Sequence, residues 1–141
     1  MKKVWYVCRW SVPYLVFVML TFLMFFQPID GDEIWNYNFA RNIAKGLKPY
    51  EDISMVQTPL AAYLAAVFLS VFGDTVIVFR ILGAILAVGV FSFTYYVAKQ
   101  VHQDWLMPFA LCSFLALFNM LAWIYNYNNL NLLLVILLMY L

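Results

Sequence analysis

Charged residues are scarce in this chain of 141 residues. Asp, Glu, Lys and Arg make up 11% of it, against roughly a quarter in soluble domains, whereas hydrophobic residues make up 67%. A chain of this length has too little interior to keep so much apolar side chain away from water. The composition therefore predicts an integral membrane protein, and it excludes a disordered chain, a fibrous repeat and a disulfide scaffold.

Excess charge of one sign and abundant cysteine are also lacking. The formal net charge is +1, which is too small to suggest a nucleic-acid partner. The two cysteines, Cys8 and Cys112, lie in or beside apolar stretches. We therefore expect two free thiols and no disulfide bond.

Long windows without charge predict the membrane spans. About 20 helical residues cross the roughly 30 Å of a bilayer's hydrocarbon core. Residues 10–29 and 105–124 carry no charge, and 75–98 carry only Arg80. Residues 130–141 begin a further apolar helix in which the sequence ends. We therefore expect the N-terminal fragment of a longer multi-pass protein or, alternatively, a terminal tail that packs against a partner.

The apolar segment 59–72 leaves two topologies open. Pro59 suits the first turn of a helix with Thr58 as its N-cap, but fourteen helical residues reach only about 21 Å, short of a full crossing. The basic residues before the first span place the N-terminus in the cytoplasm. If 59–72 stays at the interface, the turn around Lys99 lies inside and the turn around Tyr125 lies outside. If 59–72 crosses, both are reversed, and an even division of Lys and Arg does not decide between the two.

The one long polar segment follows the first span and covers residues 30–52. It carries eight of the fifteen charged residues, and its part 32–46 has the pattern of an amphipathic helix, with Gly46 at its end. The apolar face is predicted to consist of Trp35, Phe39 and Ile43, widened by Ala40, Ala44 and Leu47. Such a helix is suited to lie flat at the membrane interface.

Three acids lie at the start of this helix: Asp30, Asp32 and Glu33. One hypothesis is helix capping, because an Asp N-cap and acids in the first turn are favourable at the positive end of the helix dipole. The other is a carboxylate held at the membrane surface as a general base. Spacing alone favours capping and leaves both hypotheses open.

An ordered set of short motifs extends from Gln27 to Arg80. In order, these are Pro28-Ile29-Asp30-Gly31-Asp32-Glu33, Ala40, Gly46, Pro49-Tyr50, Asp52, Gln57-Thr58-Pro59-Leu60, Tyr63-Leu64, Phe72-Gly73 and Arg80. The set resembles the N-terminal portion of GT-C glycosyltransferases, most closely the protein mannosyltransferase and aminoarabinose transferase group, which take sugars from polyprenyl phosphates. The resemblance implies an all-α fold of polytopic transmembrane helices, with two juxtamembrane helices, 32–46 and 59–72, in the first outer loop. It therefore favours the topology in which 59–72 does not cross.

The same resemblance implies roles for individual residues. Asp32 aligns with the catalytic Asp that deprotonates the acceptor, and Glu33 aligns with its acidic neighbour. Gln57 and Thr58 fall where relatives place polar or charged residues near the donor phosphate. Arg80 matches an Arg near the lipid phosphate, whereas without the resemblance it would be interpreted as an anchor that extends towards the interface.

Asp30 and Asn128 complete the candidate substrate-binding residues. Many relatives carry an Asp in the second outer loop, where this chain has the amides Asn126, Asn128, Asn129 and Asn131 instead. Amides can hydrogen-bond a sugar, but they do not replace a carboxylate as a base or as a strong metal ligand. We therefore expect no bound metal and no cofactor.

The function implied is transfer of a sugar from a polyprenyl-phosphate donor to an acceptor on the outer face of the membrane. The acceptor is a lipid, a glycan or a protein, and the enzyme is expected in the plasma or inner membrane, in contact with membrane lipid. Two alternatives stay open: a non-catalytic polytopic subunit, and a flippase or transporter of lipid-linked sugars. A carrier would more often place ionisable groups in mid-membrane, and the two later full spans have none near their centres.

Overall fold

The computed structural model describes residues 15–17, 19, 22–23, 25–101, 130–131, 134–135 and 137–138. Three helices are delimited within them: α1 (Gly31–Ala44), α2 (Leu60–Phe72) and α3 (Val76–Val101). These residues form no strand, only an isolated bridge between Pro49 and Ile53. The predicted all-α class is therefore confirmed for the described part of the chain.

The helical backbone before α1 ends several residues earlier than the predicted boundary at 29. The described residues between 15 and 23 are helical, whereas residues 25–30 are not. The N–H of Phe25 donates to the carbonyl of Phe22 over 3.2 Å where the helix becomes a turn. A charge-free window reports hydrophobicity rather than backbone conformation, and Pro28 disfavours helical angles in the residue before it.

Helix α1 ends in a hydrogen-bonding pattern that requires glycine. Gly46 has φ +95°, in the left-handed region, and its N–H donates to the carbonyl of Ile43 over 2.9 Å. The N–H of Leu47 donates to the carbonyl of Asn42 over 3.1 Å, which completes a Schellman motif. The predicted role of Gly46 at the end of this helix is confirmed, although the last helical residue is Ala44.

Helix α2 begins without a side-chain cap, so the predicted N-cap role of Thr58 is wrong. Pro59 occupies the cap position with φ −80° and ψ −4°, and its carbonyl accepts from the N–H of Tyr63 over 2.9 Å. The helix therefore starts at Leu60, one residue later than predicted. The hydroxyl of Thr58 is consequently one residue outside the position from which a side chain caps.

Small residues on one side of α2 allow it to pack between α1 and α3. The main buried cluster consists of Ala40 from α1, Ala61, Ala65 and Leu69 from α2, and Phe79 and Leu82 from α3. Ala40 and Ala65 are both 0% exposed, which indicates that the backbones of α1 and α2 approach closely. A second cluster, Phe39, Met55 and Ala62, joins α1 to the loop before α2.

The opposite side of α2 is apolar and exposed. Leu60, Leu64, Val67 and Val71 recur there at a helical spacing, and all four are exposed. Every residue of α2 except Tyr63 and Ser70 is non-polar, both on the side that faces the other helices and on the exposed side. A helix that is apolar on all sides is typical of burial in a protein core or in lipid.

One helix among the described residues is long and apolar enough to cross a membrane, over Val76–Val97 in α3. It coincides closely with the span predicted at 75–98. Phe17 stacks on Phe91 with ring centroids 4.3 Å apart, so the segment before α1 packs beside α3. The span predicted at 105–124 lies outside the described residues, as do Cys8 and Cys112, and 130–141 is described only in part.

Candidate functional site

The first turn of α1 separates the three acids by their contacts. Asp30 is the N-cap, and its Oδ1 accepts from the backbone N–H of Glu33 over 2.9 Å. Capping satisfies an N–H group that has no partner within the helix. The capping hypothesis is therefore confirmed for Asp30.

Glu33 is buried and forms an ion pair with Arg80 of α3. Two parallel hydrogen bonds join them, Nε to Oε1 over 2.5 Å and Nη2 to Oε2 over 2.6 Å. The side chains are 12% exposed for Arg80 and 5% for Glu33. This is the bidentate geometry in which an Arg–carboxylate pair is strongest.

The guanidinium of Arg80 also closes the turn that precedes α1. Its Nη1 donates to the carbonyl of Phe25 over 3.0 Å and to the carbonyl of Gln27 over 3.1 Å. With the two bonds to Glu33, the guanidinium of Arg80 donates four hydrogen bonds from its five N–H groups. Arg80 therefore points at Glu33 and at the turn before α1.

Asp32 is the acid of this turn that is exposed and uncommitted. Its carboxylate forms no hydrogen bond or ion pair with any residue that the structure describes, whereas its backbone carbonyl accepts from Nδ2 of Asn36 over 2.8 Å. An exposed carboxylate on a restrained backbone is available to an incoming acceptor group. The predicted base is thus the one acid of the three without a structural contact among the described residues.

A polar contact brings the predicted residue Gln57 to this end of α1. Gln57 donates from Nε2 to Oδ1 of Asn36 over 3.0 Å, and the hydroxyl of Tyr50 donates to the carbonyl of Gln57 over 2.7 Å. Asn36 is buried, so both bonds of its amide satisfy groups that water hardly reaches. The loop before α2 is therefore fixed against α1 one turn from Asp32.

The remaining predicted site residues are not joined to this arrangement. Thr58 is exposed beside Gln57 in the chain, and Asn128 lies outside the described residues. Within the described part of the chain, no group of three or more His, Cys, Asp or Glu side chains is placed to hold a metal ion. The site is therefore built from Asp32, Asn36 and Gln57 beside the Glu33–Arg80 pair.

The buried face of α1 differs from the apolar face predicted for it. Phe39 is buried and Ile43 is partly buried, as predicted, but Trp35 is 44% exposed. Glu33 and Asn36 are buried instead. The spacing of hydrophobic residues does not predict the burial of Glu33 and Asn36. Each of the two polar side chains can be buried because it has a polar partner distant in sequence.

A polar cluster at the other end of α1 was not predicted from the sequence. Asp74, in the turn between α2 and α3, accepts from the hydroxyl of Tyr37 over 2.7 Å and from Nε of Arg41 over 2.8 Å. These two contacts hold the pKa of Asp74 below its usual range. The pKa of Tyr37 is raised, mainly by burial and also by its hydrogen bond to Asp74. The Arg41–Asp74 ion pair is exposed, whereas Tyr37 is partly buried, and the two contacts of Asp74 join α1 to this turn.

No protein-family model, no curated protein and no solved structure matches this chain.

Proposed function

We propose that this chain is part of a membrane glycosyltransferase that moves a sugar from a polyprenyl phosphate to an acceptor on the outer face of the membrane. In this proposal the protein crosses the membrane several times, its N-terminus is cytoplasmic, and the loop that contains α1 and α2 lies outside. The acceptor is a lipid, a glycan or a protein. The motif order from Gln27 to Arg80 supports the proposal, and the contacts of the acids in α1 give it a mechanism.

The observation that carries the proposal is that the carboxylates of the three acids have different contacts. Asp30 caps the helix and Glu33 binds Arg80, which leaves the Asp32 carboxylate exposed. In the proposed step, Asp32 takes the proton of an acceptor hydroxyl while the oxygen of that hydroxyl attacks the anomeric carbon of the sugar. The bond from that carbon to the phosphate oxygen breaks, the phosphate leaves with the electron pair, and the configuration inverts. Asp32 then releases its proton to water.

The donor side of the proposed site is taken from the resemblance. Gln57, Thr58 and Asn128 are proposed to contact the donor, Asn128 from the second outer loop. Arg80 has one N–H beyond its four hydrogen bonds within the described residues, on Nη2. Its proposed contact with the donor phosphate therefore amounts to a single charge-assisted hydrogen bond.

A transfer assay with two matched variants tests the proposal. Membranes that contain the full natural chain are given radiolabelled mannose or aminoarabinose on a short polyprenyl phosphate, and label in lipid, glycan and protein fractions is counted. Asp32→Asn keeps the size of the side chain but removes the base, so we expect the rate to fall by roughly 10²–10⁴-fold. Asp30→Asn should cost far less, because Asn caps a helix as well as Asp does.

Two outcomes would contradict this proposal. Equal losses in Asp32→Asn and Asp30→Asn would remove Asp32 as the base. Absence of transfer from either donor by the natural chain, with the protein inserted in the membrane, would favour the non-catalytic subunit instead.

A further inference from the structure

A single guanidinium connects three parts of the chain. Arg80, near the start of α3, binds the Glu33 carboxylate in the first turn of α1 and the carbonyls of Phe25 and Gln27 before that helix. Both charged side chains are largely buried, so water competes little for these bonds. The end of the first apolar segment, α1 and α3 therefore meet around one charge.

We propose that Glu33 and Arg80 form a positioning pair that fixes where the Asp32 carboxylate points. The inference rests on the proposed function, because that function makes Asp32 the base. Asp32 has no side-chain contact of its own among the described residues, so the backbone of the first turn sets its direction. That turn is restrained by Asp30 through the cap and by Glu33 through Arg80.

The surroundings of Arg80 require a cation that donates in several directions at once. The carboxylate of Glu33 and the carbonyls of Phe25 and Gln27 are all acceptors. A guanidinium serves them together because its N–H groups lie in a rigid fork, which the ammonium of Lys lacks. Exchanging the two charges, with Glu33→Arg and Arg80→Glu, would set a carboxylate against two carbonyl oxygens. We therefore expect that exchange not to restore the natural arrangement.

A positioning role also agrees with the place of the charge in the molecule. Arg80 lies within Val76–Val97, the segment able to cross a membrane. Ionisable groups in such segments are costly and are typically paired. Removing one partner of a buried pair leaves the other uncompensated, so either single change should disturb the first turn of α1.

A spin label at position 32 tests the positioning pair without any assay of activity. In the full natural chain, Cys8→Ala and Cys112→Ala remove the native thiols, and Asp32→Cys carries the label. We expect Glu33→Gln and Arg80→Gln each to narrow the EPR lines, with label motion at least about twofold faster, because both release the first turn of α1.

The matched control is Arg41→Gln, which removes the exposed ion pair at the other end of α1. It should leave the lines unchanged. If either Gln variant fails to insert, Glu33→Asp keeps the charge but shortens the reach to Arg80, and the lines should again narrow. Unchanged lines in the inserted Glu33 and Arg80 variants, or equal narrowing in Arg41→Gln, would overturn the proposal.

Kinetics with Asp32 intact separate positioning from donor binding. Glu33→Gln should lower kcat by about tenfold or more and leave the donor KM within about twofold, because a misplaced base slows the chemical step. The double variant Glu33→Gln/Arg80→Gln should be no slower than the slower single variant, since both remove the same interaction. Arg41→Gln should keep the natural kcat.

The two proposals fail in distinguishable ways. A rise in donor KM with an unchanged kcat in Glu33→Gln would contradict positioning while transfer itself continues. If the natural chain transfers no sugar, the proposed function fails, and the EPR lines still decide whether Glu33 and Arg80 hold the first turn of α1.

Discussion

The carboxylates of Asp30, Asp32 and Glu33 have different surroundings although the three residues are close in sequence. One accepts a backbone N–H, one is exposed, and one binds a guanidinium. Side chains one or two positions apart on a helix point in different directions, because each residue turns the helix by about 100°. Crowding in the sequence therefore does not imply a shared site.

The cap can be tested by stability alone. Asp30→Ala removes the acceptor for the Glu33 N–H, and we expect the free energy of unfolding to fall by about 0.5–2 kcal/mol. Asp30→Asn retains an acceptor, so its free energy of unfolding should be close to that of the natural protein. Denaturant unfolding in detergent, followed by helical circular dichroism, measures both variants. A stable Asp30→Ala protein would show that the cap contributes little.

At the scale of single residues, local interactions were predictable and distant ones were not. Asp30 was a candidate cap because its partner lies three residues away. The partner of Glu33 lies 47 residues along the chain, and no local pattern indicates it. Asn36 is a similar case, because its contact with Gln57 spans 21 residues. Both side chains look suited to the surface until their partners are known.

Helix α2 depends on the small size of the residues that face its neighbours. Ala65 is fully buried, so Ala65→Leu adds volume where no space is available. We expect a loss of about 1–3 kcal/mol in the free energy of unfolding. Val67→Leu is the control, because Val67 is exposed on the opposite side and should change stability by less than about 0.5 kcal/mol. Chemical denaturation of the two variants in one detergent compares them; similar stability would contradict close packing at Ala65.

The contact between α1 and the turn before α3 should weaken in acid. The pKa of Asp74 is lowered by Tyr37 and then by Arg41, so its stabilising contribution is complete above the unfolded value of about 3.9. It is lost as the pH falls through the folded pKa, which is lower still. Asp74→Asn should therefore lower the Tm by a constant amount from pH 5 to pH 7, and the difference should shrink as the pH falls below about 3.9.

Tyr37→Phe provides the matching comparison for the acid effect. It removes the hydroxyl that contributes most to the lowered pKa of Asp74, so the Tm difference should disappear at a higher pH in this background. A Tm difference that stays constant down to pH 3 would mean that the ionisation of Asp74 does not stabilise this contact.

At the scale of elements, the sequence predicted which segments are helical better than it predicted the residue at which each helix begins. The helices expected at 32–46 and 59–72 occur as Gly31–Ala44 and Leu60–Phe72, because hydrophobic spacing and turn residues act locally. The cap assigned to Thr58 was wrong, since a one-residue change in where α2 starts moves the cap position. Such changes depend on how the loop packs against α1.

Across the whole molecule, the ion pairs of the described residues gather around the loop that contains α1. Arg41 pairs with Asp74, Lys48 with Glu51, and Arg80 with Glu33. The rest of α2 and α3 is almost entirely apolar. This distribution agrees with a polar loop at the surface of a membrane.

The proposed topology can be tested by labelling two single cysteines. If 59–72 does not cross, α3 runs inward, so position 103 is cytoplasmic and position 128 is outside. A cysteine at Gln103 should then be protected from an impermeant thiol reagent in intact cells, whereas one at Asn128 should react. Cys8→Ala and Cys112→Ala remove the background, and permeabilised cells should label at both positions. The opposite pattern in intact cells would mean that 59–72 crosses, which would place Lys99 outside and remove Asn128 from the side of the membrane where Asp32 lies.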